Sequence, residues 1–252
     1  MSNNLALTQS ILLDDTLVKA TQTLTSTGVN VSNNNTVTIG GVVYTFKTNL
    51  TAAVAATATL TSDETQPDAG DTVTIGDQVY TFVTALTDTP PRRRIPNEVL
   101  IGADADTTLG NLVVAVNAGT GLGTKYSHGT VANTYVSAAA VSSHATVMTA
   151  RTTGTGGNAI AKAEDSDHLD WDGSGGVFTG GVATVANEIK IGASAAASLD
   201  NLKSAINLSG TAGTEYSVGT VIHPTVTATT NTDTTQVVEA KTGGTEGNSI
   251  GT

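Results

Sequence analysis

Four histidines are the residues of this chain best suited to catalysis or metal binding: His128, His144, His168 and His223. An imidazole changes its charge near neutral pH, so it can serve as a general base or as a metal ligand. Either role needs partners at a defined spacing, such as the serine and acid of a catalytic triad or a second histidine on one helix face. No such spacing surrounds these histidines. We therefore predict histidines at the protein surface, without a catalytic or metal-binding role.

The acidic stretch that ends at Gly173 is a candidate calcium-binding loop. Its aspartates are Asp165, Asp167, Asp170 and Asp172. An EF-hand register that places Gly173 at position six puts His168 at position one and Thr179 at position twelve, where calcium needs carboxylates. The pattern therefore argues against an EF-hand. It leaves open a calcium-binding turn of another type, and it favours a solvated acidic turn before the last strand.

Two glycine-rich strings resemble phosphate-binding loops: GTGGN at residues 154–158 and GTEGN at residues 244–248. A P-loop ends in Lys followed by Ser or Thr and opens a helix. Neither string has that ending, and no capped amphipathic helix is predicted after either one. We interpret both strings as turns whose glycines supply positive φ angles. We accordingly assign no catalytic residue, no cofactor-binding residue and no metal ligand.

The charge of the chain argues against nucleic acid as a partner. The formal net charge is −11 and the pI is near 4.5, whereas a protein that binds phosphates needs clustered lysines and arginines. The only basic cluster, Arg92-Arg93-Arg94, lies between prolines. It could contact an acidic neighbour, such as another subunit, or only aid the solubility of an exposed loop. Both interpretations stay open, and we expect proteases to cut there.

The composition indicates small β-rich units instead of one large core. Aromatic residues make up 4% of the 252 residues and charged residues 13%, while glycine occurs 27 times. Few large side chains are available to anchor a core, and valine, isoleucine and threonine favour strands. The chain has no cysteine, which excludes disulfides and thiolate metal sites. The N-terminal string MSNNLALTQSILLDD lacks a basic region and a long apolar run, which argues against a signal peptide or a membrane span.

An internal repeat organises the chain. The strings LTSTGVNVSNNNTVTIGGVVYTFKT and LTSDETQPDAGDTVTIGDQVYTFVT, which begin at Leu24 and Leu60, match at a constant offset of 36 residues. The strings NEVLIGADADTTLGNLVVAVN and NEIKIGASAAASLDNLKSAIN, which begin at Asn97 and Asn187, match at an offset of 90. This second match runs on without a gap through GTGGNAI and GTEGNSI.

The repeat also bears on the histidines. At the offset of 90, His128 is matched by a valine, His144 by a threonine and His223 by Asn133, and His168 lies beyond the matched region. The repeated module therefore does not need histidine at these positions.

Two different offsets cannot arise from a simple tandem array. They follow if one complete module is inserted into a loop of another, or if a tandem repeat has lost its middle. We predict the insertion, with an N-terminal arm at residues 1–21, an outer discontinuous module at 22–56 plus 183–252, and an inserted inner module at 57–182. The inner copy shows the host loop without an insertion as the proline-bounded stretch 84–96.

Each module is predicted to be a small α+β fold, a mostly antiparallel β-sheet with one packed helix. The turn Gly76-Asp77 lies between alternating apolar strings, which is a strong hairpin signal. The helix of each module has an N-cap candidate, Asp104 or Ser194, followed by apolar residues at the spacing of one helix face. The predicted strands of the inner module are 72–75, 79–82, 99–101, 135–140 and 146–150.

The two copies differ after the glycine-rich string. The inner copy continues through Trp171, the only tryptophan, and can form a further strand before Val182, whereas the outer copy stops at Thr252. The outer module is therefore an incomplete sheet, or the N-terminal segment or a neighbouring subunit fills that place. An unfilled sheet edge is an association surface, which motivates a hypothesis of assembly.

The strings TVTIGDQVYTF, NEVLIGADADTTLGNLVVAVN and GTGGNAI, with similar strings in the outer copy, resemble a repeat frequent in predicted structural proteins of tailed bacteriophages. The resemblance covers most of the chain beyond about residue 22. Repeats of this type usually continue through a Trp-Gly segment, as the inner copy does near Trp171 and the outer copy does not. The motif defines no functional residues, so none is transferred.

The resemblance implies a non-enzymatic virion component without a cofactor, displayed on the capsid or the tail as a decoration, cement or fibre-like protein. Its expected partners are capsid or tail subunits and further copies of the same chain, with no nucleic acid and no membrane. The alternative is a carbohydrate- or receptor-binding adhesion module. Glycan sites favour exposed aromatic side chains with polar neighbours, for which Trp171 and a few tyrosines are available.

Overall fold

The structure is a computed structural model that describes residues 18–87, 95–173 and 175–249. Its elements follow in chain order: β1 (Lys19–Thr25), β2 (Thr36–Ile39), β3 (Val42–Lys47), β4 (Ala55–Ser62), β5 (Thr72–Ile75), β6 (Gln78–Val83), β7 (Glu98–Leu100), α1 (Ala105–Asn117), β8 (Val136–Ala138), β9 (Ala145–Thr153), β10 (Lys162–Glu164), β11 (Leu169–Trp171), β12 (Glu188–Lys190), α2 (Ala195–Asn207), β13 (Val226–Asn231) and β14 (Thr235–Gly243). Short 3-10 helices lie at Thr155–Ala159 and Gly247–Ser249. Neither α-helix formed by these residues has the length and apolar character that a membrane span requires.

The described residues divide into two compact units. The split unit contains the residues up to Thr51 and those from Val185 onward, and the continuous unit contains Ala52–Thr184. The repeat in the sequence places the boundaries a few residues further inside the continuous unit. In the structure the continuous unit is a few residues longer at each end, because Val54 forms an antiparallel bridge with Val182. This bridge joins the first and the last residues of the continuous unit to each other.

The continuous unit contains two four-stranded sheets and α1. The strand orders are β10-β5-β6-β7 and β11-β4-β9-β8, with every pair antiparallel except the parallel pair β6/β7. The predicted α+β class is confirmed, but two sheets replace the single predicted sheet. The unpredicted strand β4 explains the difference, since its alternate residues Ala56, Ala58 and Leu60 share one core with Tyr80 and Phe82 of the other sheet.

The split unit contains two three-stranded sheets and α2. The strand orders are β12-β3-β2 and β1-β14-β13, with β3/β12 as the parallel pair. β1 includes residues 19–21, which the sequence analysis assigned to an N-terminal arm. The core of this unit includes Tyr44, Phe46, Ile189 and Leu202. Among its described residues, no strand corresponds to β10 or β11 of the continuous unit.

The local signals for the hairpin and the helices are confirmed. Ile75 pairs with Gln78 across the Gly76-Asp77 turn. The side chains of Asp104 and Ser194 cap α1 and α2, since each accepts a hydrogen bond from the backbone N–H three residues further on. These caps fix where each helix begins, and the apolar face of each helix then packs into the core of its own unit.

Candidate functional site

His223 is buried in the split unit, with 1% of its surface exposed. Its Nδ1 accepts hydrogen bonds from the backbone N–H groups of Thr225 at 3.2 Å and Val226 at 3.1 Å. Its Nε2 lies 2.8 Å from the carbonyl oxygen of Ile39. Because Nδ1 accepts hydrogen bonds, Nε2 carries the proton and donates to Ile39. The prediction of a surface position is therefore wrong for His223, which ties β2 to the chain before β13.

Asn133 forms equivalent hydrogen bonds at the matched position of the continuous unit. Its Oδ1 accepts hydrogen bonds from the backbone N–H groups of Tyr135 at 2.9 Å and Val136 at 3.1 Å, and its Nδ2 donates to the carbonyl oxygen of Ile75 at 3.2 Å. An amide and a neutral imidazole both present an acceptor on one side and a donor on the other. Asn133 and His223 are therefore two solutions to one structural requirement.

The aromatic neighbours of these two residues differ. In the continuous unit, the hydroxyl of Tyr80 donates to Gln78 at 2.8 Å and lies 3.5 Å from Nδ2 of Asn133. In the split unit, the ring of Tyr44 stacks on His223 with the centroids 6.2 Å apart, and its buried hydroxyl has no hydrogen-bond partner among the described residues. Burial raises the pKa of Tyr44 to about 12. This hydroxyl is accordingly a poor acid or base near neutral pH.

Two other histidines are partly exposed and contact carboxylates, and Nε2 of His144 lies 3.6 Å from Glu64. Nδ1 of His144 lies 3.0 Å from Asp106, and Nδ1 of His168 lies 3.0 Å from Asp63. The hydrogen bond to Asp63 raises the pKa of His168, and the same bond lowers the pKa of Asp63. His128 is half-buried. The His144 and His168 contacts link distant segments of one unit, which is a structural role.

The acidic stretch distributes its carboxylates among different partners. Asp165 accepts a hydrogen bond from the backbone N–H of Thr72, and Asp172 lies 2.8 Å from Nζ of the buried Lys162. Burial opposes the ionisation of Asp172, but hydrogen bonds from Lys162 and Thr59 outweigh it and lower the pKa. Among the described residues, no three histidine, aspartate or glutamate side chains are grouped as the ligands of a metal ion would be.

Trp171 is buried within the continuous unit. It is 6% exposed and contacts Phe178 with the ring centroids 6.0 Å apart. The ammonium group of Lys162 lies 5.6 Å from the centre of its ring, a cation–π contact. A glycan stacks on an exposed aromatic face. The aromatic residue that the adhesion alternative relies on most is therefore a core residue.

The glycine-rich strings form turns beside the two cores. Gly154 and Gly244 have φ angles of +98° and +83°, as predicted. A second requirement was not predicted: a Cβ atom at Gly157 would lie 2.8 Å from Cβ of Ala56 and 2.9 Å from Cβ of Ala150. Gly157 thus allows the 3-10 helix to approach β4 and β9 closely. The glycines serve backbone geometry and packing, and no phosphate cradle is needed to explain them.

Two buried glutamates form matched contacts that the sequence analysis missed, and we call them the Glu–Thr clamps. In the continuous unit, Glu98 accepts hydrogen bonds from the backbone N–H of Thr87 at 2.7 Å and from its hydroxyl at 2.8 Å. In the split unit, Glu188 accepts the same two bonds from Thr51 at 2.7 Å and 2.9 Å. Both carboxylate oxygens are occupied and the glutamates are 5% and 1% exposed. The clamps therefore hold the chain together and are not open to a ligand.

A signal for the clamps was present in the sequence. The two threonines share the offset of 36, and the two glutamates share the offset of 90. Each glutamate follows an asparagine, and Asn97 and Asn187 adopt φ angles of +63° and +61°, which asparagine tolerates better than most residues. The repeated pair of asparagine and glutamate therefore indicates a turn that both units share, with the glutamate as the residue that holds it.

A groove runs along β1 and β2 of the split unit. Its lining includes Leu24, Val37, Ile39, Gln236 and Val238. None of the described residues that line it can be ionised. Apolar side chains beside a strand edge suit an extended peptide segment, which adds main-chain hydrogen bonds to side-chain contacts. The groove is therefore suited to binding an extended segment.

Comparison with known proteins adds no relative. No protein-family model matches the chain, and neither a curated protein nor a solved structure matches it. The basic cluster Arg92-Arg93-Arg94 lies outside the described residues, so its two interpretations stay as they were.

Proposed function

We propose that this chain is a non-enzymatic structural component of a tailed-bacteriophage virion, displayed on the capsid or the tail as a decoration, cement or fibre-like protein. The observation that carries the proposal is the matched use of polar residues in both units. Glu98 and Glu188, like Asn133 and His223, bond to the backbone of their own unit. Such residues stabilise the fold of their own unit. The resemblance of the repeat to phage structural proteins supports a place in the virion.

We further propose that the continuous unit is a second copy of one module, inserted into a loop of the split unit. The matched hairpins, helices and Glu–Thr clamps support a common origin. The clamp between Thr51 and Glu188 holds together the two ends of the connection that carries Ala52–Thr184. An insertion is tolerated where the two ends of a surface loop lie close together.

The proposed partners are other virion proteins, such as capsid or tail subunits, and further copies of this chain. A loop of the split unit supports such contacts, because Val218, Val221 and Ile222 are 52%, 68% and 50% exposed. Neighbouring exposed apolar side chains mark interaction surfaces more often than single ones do. The net charge of −11 favours partners with basic surfaces and disfavours nucleic acid.

Purified particles of the phage that encodes this chain test the proposal. Mass spectrometry should detect the chain in density-purified virions, and cryo-electron microscopy should place it on the outer surface of the capsid or the tail. Val221→Asp should reduce its incorporation, and Val131→Asp at the matched position of the continuous unit is the control for added charge alone. A chain that is abundant in infected cells but absent from virions would contradict the proposal. Specific binding to a glycan array would instead favour the adhesion alternative.

A further inference from the structure

The groove of the split unit continues at both ends into a further cavity. Its central part has a volume of about 330 Å³. One neighbouring cavity, of about 270 Å³, shares Leu24 and Val37 with it, and the other, of about 180 Å³, shares Gln22 and Ile39. None of the described residues that line the three cavities can be ionised. The open space therefore follows β1 and β2 and offers apolar and neutral polar contacts.

In the continuous unit, the described residues of segment 160–182 lie along the matching strands, and we call this stretch the covering segment. Its strands β10 and β11, the closing strands, pair with β5 and β4. β2 and β1 are the matched strands of the split unit, and no described strand pairs with their outer edges. The string ATATLTS of β4 recurs as ATQTLTS at residues 20–26, at the offset of 36. Two nearly identical strands thus differ in whether their outer edge is paired.

The contacts of the covering segment coincide with the cavities of the split unit. The covering segment meets β4 at three places: Leu169 opposite Ser62, Trp171 opposite Leu60, and Thr179, next to Phe178, opposite Thr57. The matched residues of the split unit line one cavity each: Ser26 that of 270 Å³, Leu24 that of 330 Å³ and Thr21 that of 180 Å³. The split unit is therefore open where the covering segment fills the continuous unit.

Side-chain exposure follows this difference. Leu169, Trp171 and Phe178 are 5%, 6% and 0% exposed and belong to one core with Leu60, which is completely buried. Leu24, at the position matched to Leu60, is only half-buried. The split unit thus has the inward-facing positions of a closed sandwich, and no described segment covers them.

A buried polar atom in the groove also lacks a partner. Gln236 is 0% exposed and lines the groove, and its Nε2 donates to two backbone carbonyls. Its Oε1 has no hydrogen-bond partner among the described residues. A buried amide oxygen without a partner is rare in native proteins and needs an explanation. A donor on a bound segment would supply one.

We propose that the groove binds an extended segment of another polypeptide, one that has the side-chain pattern of the covering segment. That pattern places two large apolar residues on one face, as Leu169 and Trp171 are, and a further aromatic residue after them, as Phe178 is. The bound segment adds a strand to the outer edge of β1, so backbone hydrogen bonds supplement the side-chain contacts. This inference rests on the proposed relation between the two units, and it gives the chemistry of a virion partner.

A second copy of this chain is a poorer donor of such a segment. In the part of the chain that the structure describes, the covering segment is already buried in its own unit. A second copy would have to open its continuous unit to donate it. The apolar surface buried in the groove would then be exposed elsewhere, whereas a segment from another polypeptide adds burial.

The charges beside the groove suit a segment as acidic as the covering segment. That segment carries five carboxylates: Glu164, Asp165, Asp167, Asp170 and Asp172. In the continuous unit, the loop that contacts it carries four more: Asp63, Glu64, Asp68 and Asp71. The matched residues of the split unit are neutral: Thr27, Gly28, Ser32 and Asn35. Because like charges repel, an acidic segment meets less repulsion in the split unit.

A synthetic peptide of residues 160–182 is the probe, and its cross-linking to the intact chain tests the register. Asp170 pairs with Thr61 in the continuous unit, so in the bound peptide it should lie opposite Thr25. The chain has no cysteine of its own. We expect a short bismaleimide to join a peptide carrying Asp170→Cys to the variant Thr25→Cys. Thr61→Cys is the matched control, since Thr61 is exposed like Thr25 but already paired. Equal cross-linking of both variants, or none at Thr25→Cys, would overturn the proposal.

Two variants of the peptide test which side chains carry binding. Trp171→Ala should reduce the cross-linking of non-saturating peptide about tenfold, because it removes the largest apolar side chain. His168→Ala should leave the yield unchanged, because Thr27 stands where Asp63 contacts His168 in the continuous unit. A Trp171→Ala peptide that reacts as well as the parent peptide, or a loss with His168→Ala, would contradict the matched placement.

Hydrogen exchange shows whether the groove is open in the chain alone. Thr21 in β1 matches Thr57 in β4, whose backbone N–H donates to Thr179 at 2.8 Å. We expect the Thr21 amide to exchange freely without peptide and to be protected with it, while the Thr57 amide stays protected throughout. Protection of Thr21 in the chain alone would overturn the proposal, and protection that rises with chain concentration would favour a second copy instead. These measurements use the purified chain, so their failure would leave its place in the virion untouched.

Discussion

The split unit and the continuous unit share the same hydrogen-bond framework but differ in how their sheets are closed. The Glu–Thr clamp has nearly the same geometry in both, with oxygen distances of 2.7 and 2.9 Å in the split unit and 2.7 and 2.8 Å in the continuous unit. In the continuous unit, β10 and β11 pair with the outer edges of β5 and β4. No described strand pairs with the matching edges of the split unit. The framework therefore does not depend on the closing strands. Among the described residues, closure by further strands is a property of the continuous unit.

The largest expected effect comes from removing a large side chain beneath the closing strands. Leu60→Ala should destabilise the continuous unit by about 2–5 kcal/mol, because it leaves a cavity under a fully covered position. Tryptophan fluorescence of the single Trp171 during urea unfolding measures this loss. The matched change Leu24→Ala should cost the split unit less, because Leu24 is only half-buried. Equal losses in the two variants, each measured by hydrogen exchange in its own unit, would contradict this difference in coverage.

Removal of a clamp should destabilise either unit by a similar amount. Glu98→Ala and Glu188→Ala each leave an N–H and a hydroxyl of a threonine without an acceptor, and hydrogen bonds to charged groups contribute about 1.5–3 kcal/mol each. Hydrogen exchange of β6 and β3 measures the two units separately. Glu→Gln variants are the controls, since they preserve shape and one acceptor. A loss of stability in only one of the two variants would show that the two clamps, despite their similar geometry, contribute unequally to stability.

The pair of Asn133 and His223 allows an exchange experiment between the units. His223→Asn should change the stability of the split unit little, because the amide offers the same acceptor and donor. His223→Ala should cost about 1–3 kcal/mol, since it leaves buried backbone groups unpaired. Thermal unfolding and hydrogen exchange of β13 provide the measurement. If His223→Asn proved as damaging as His223→Ala, the imidazole would have a role that the amide cannot fill, such as its stacking on Tyr44.

The smallest expected effect is a pH dependence of the continuous unit that comes from the pair of Asp63 and His168. The hydrogen bond between Asp63 and His168 lowers the pKa of the carboxyl and raises the pKa of the imidazole. Its stabilisation is complete between the ordinary pKa values of the two groups, 3.8 and 6.5. It is lost as the pH falls through the lowered pKa of Asp63 and as the pH rises through the raised pKa of His168.

The variant His168→Asn should therefore reduce stability more at about pH 5 than at about pH 9. Urea unfolding followed by Trp171 fluorescence at the two pH values measures the difference. The double variant Asp63→Asn, His168→Asn controls for the loss of either side chain alone. The same loss at both pH values would show that the pair is not responsible.

The sequence predicted the elements that are specified by local signals. The Gly76-Asp77 turn and the N-caps Asp104 and Ser194 were identified because a turn or a cap depends on a few adjacent residues. The strand β4 was missed because its string, AATATLTS, alternates alanine with threonine and lacks the large side chains that usually reveal a strand. Its pairing with β9, about ninety residues away, is a contact that no local pattern contains.

The candidate polar residues were the harder part of the prediction. The sequence predicts a surface position for His223 because Asn133 stands at the matched position of the other copy, and an exchange of residue types usually indicates little constraint. Both side chains in fact meet one constraint, an acceptor and a donor on opposite sides. The glutamates of the clamps were overlooked because buried carboxylates are rare, and their threonine partners lie on another segment of the chain.

The clamp between Thr51 and Glu188 also bears on how such a chain can grow in evolution or by design. The carboxylate of Glu188 in β12 binds Thr51, so the start and the end of the connection are both held beside the sheet. A segment inserted between Thr51 and Glu188 needs only to have its two ends close together. The clamp of Thr87 and Glu98 offers a second insertion position of the same kind. Under the proposed insertion, a chain of this kind lengthens from within, because a segment added at either clamp leaves the clamped threonine and glutamate in place.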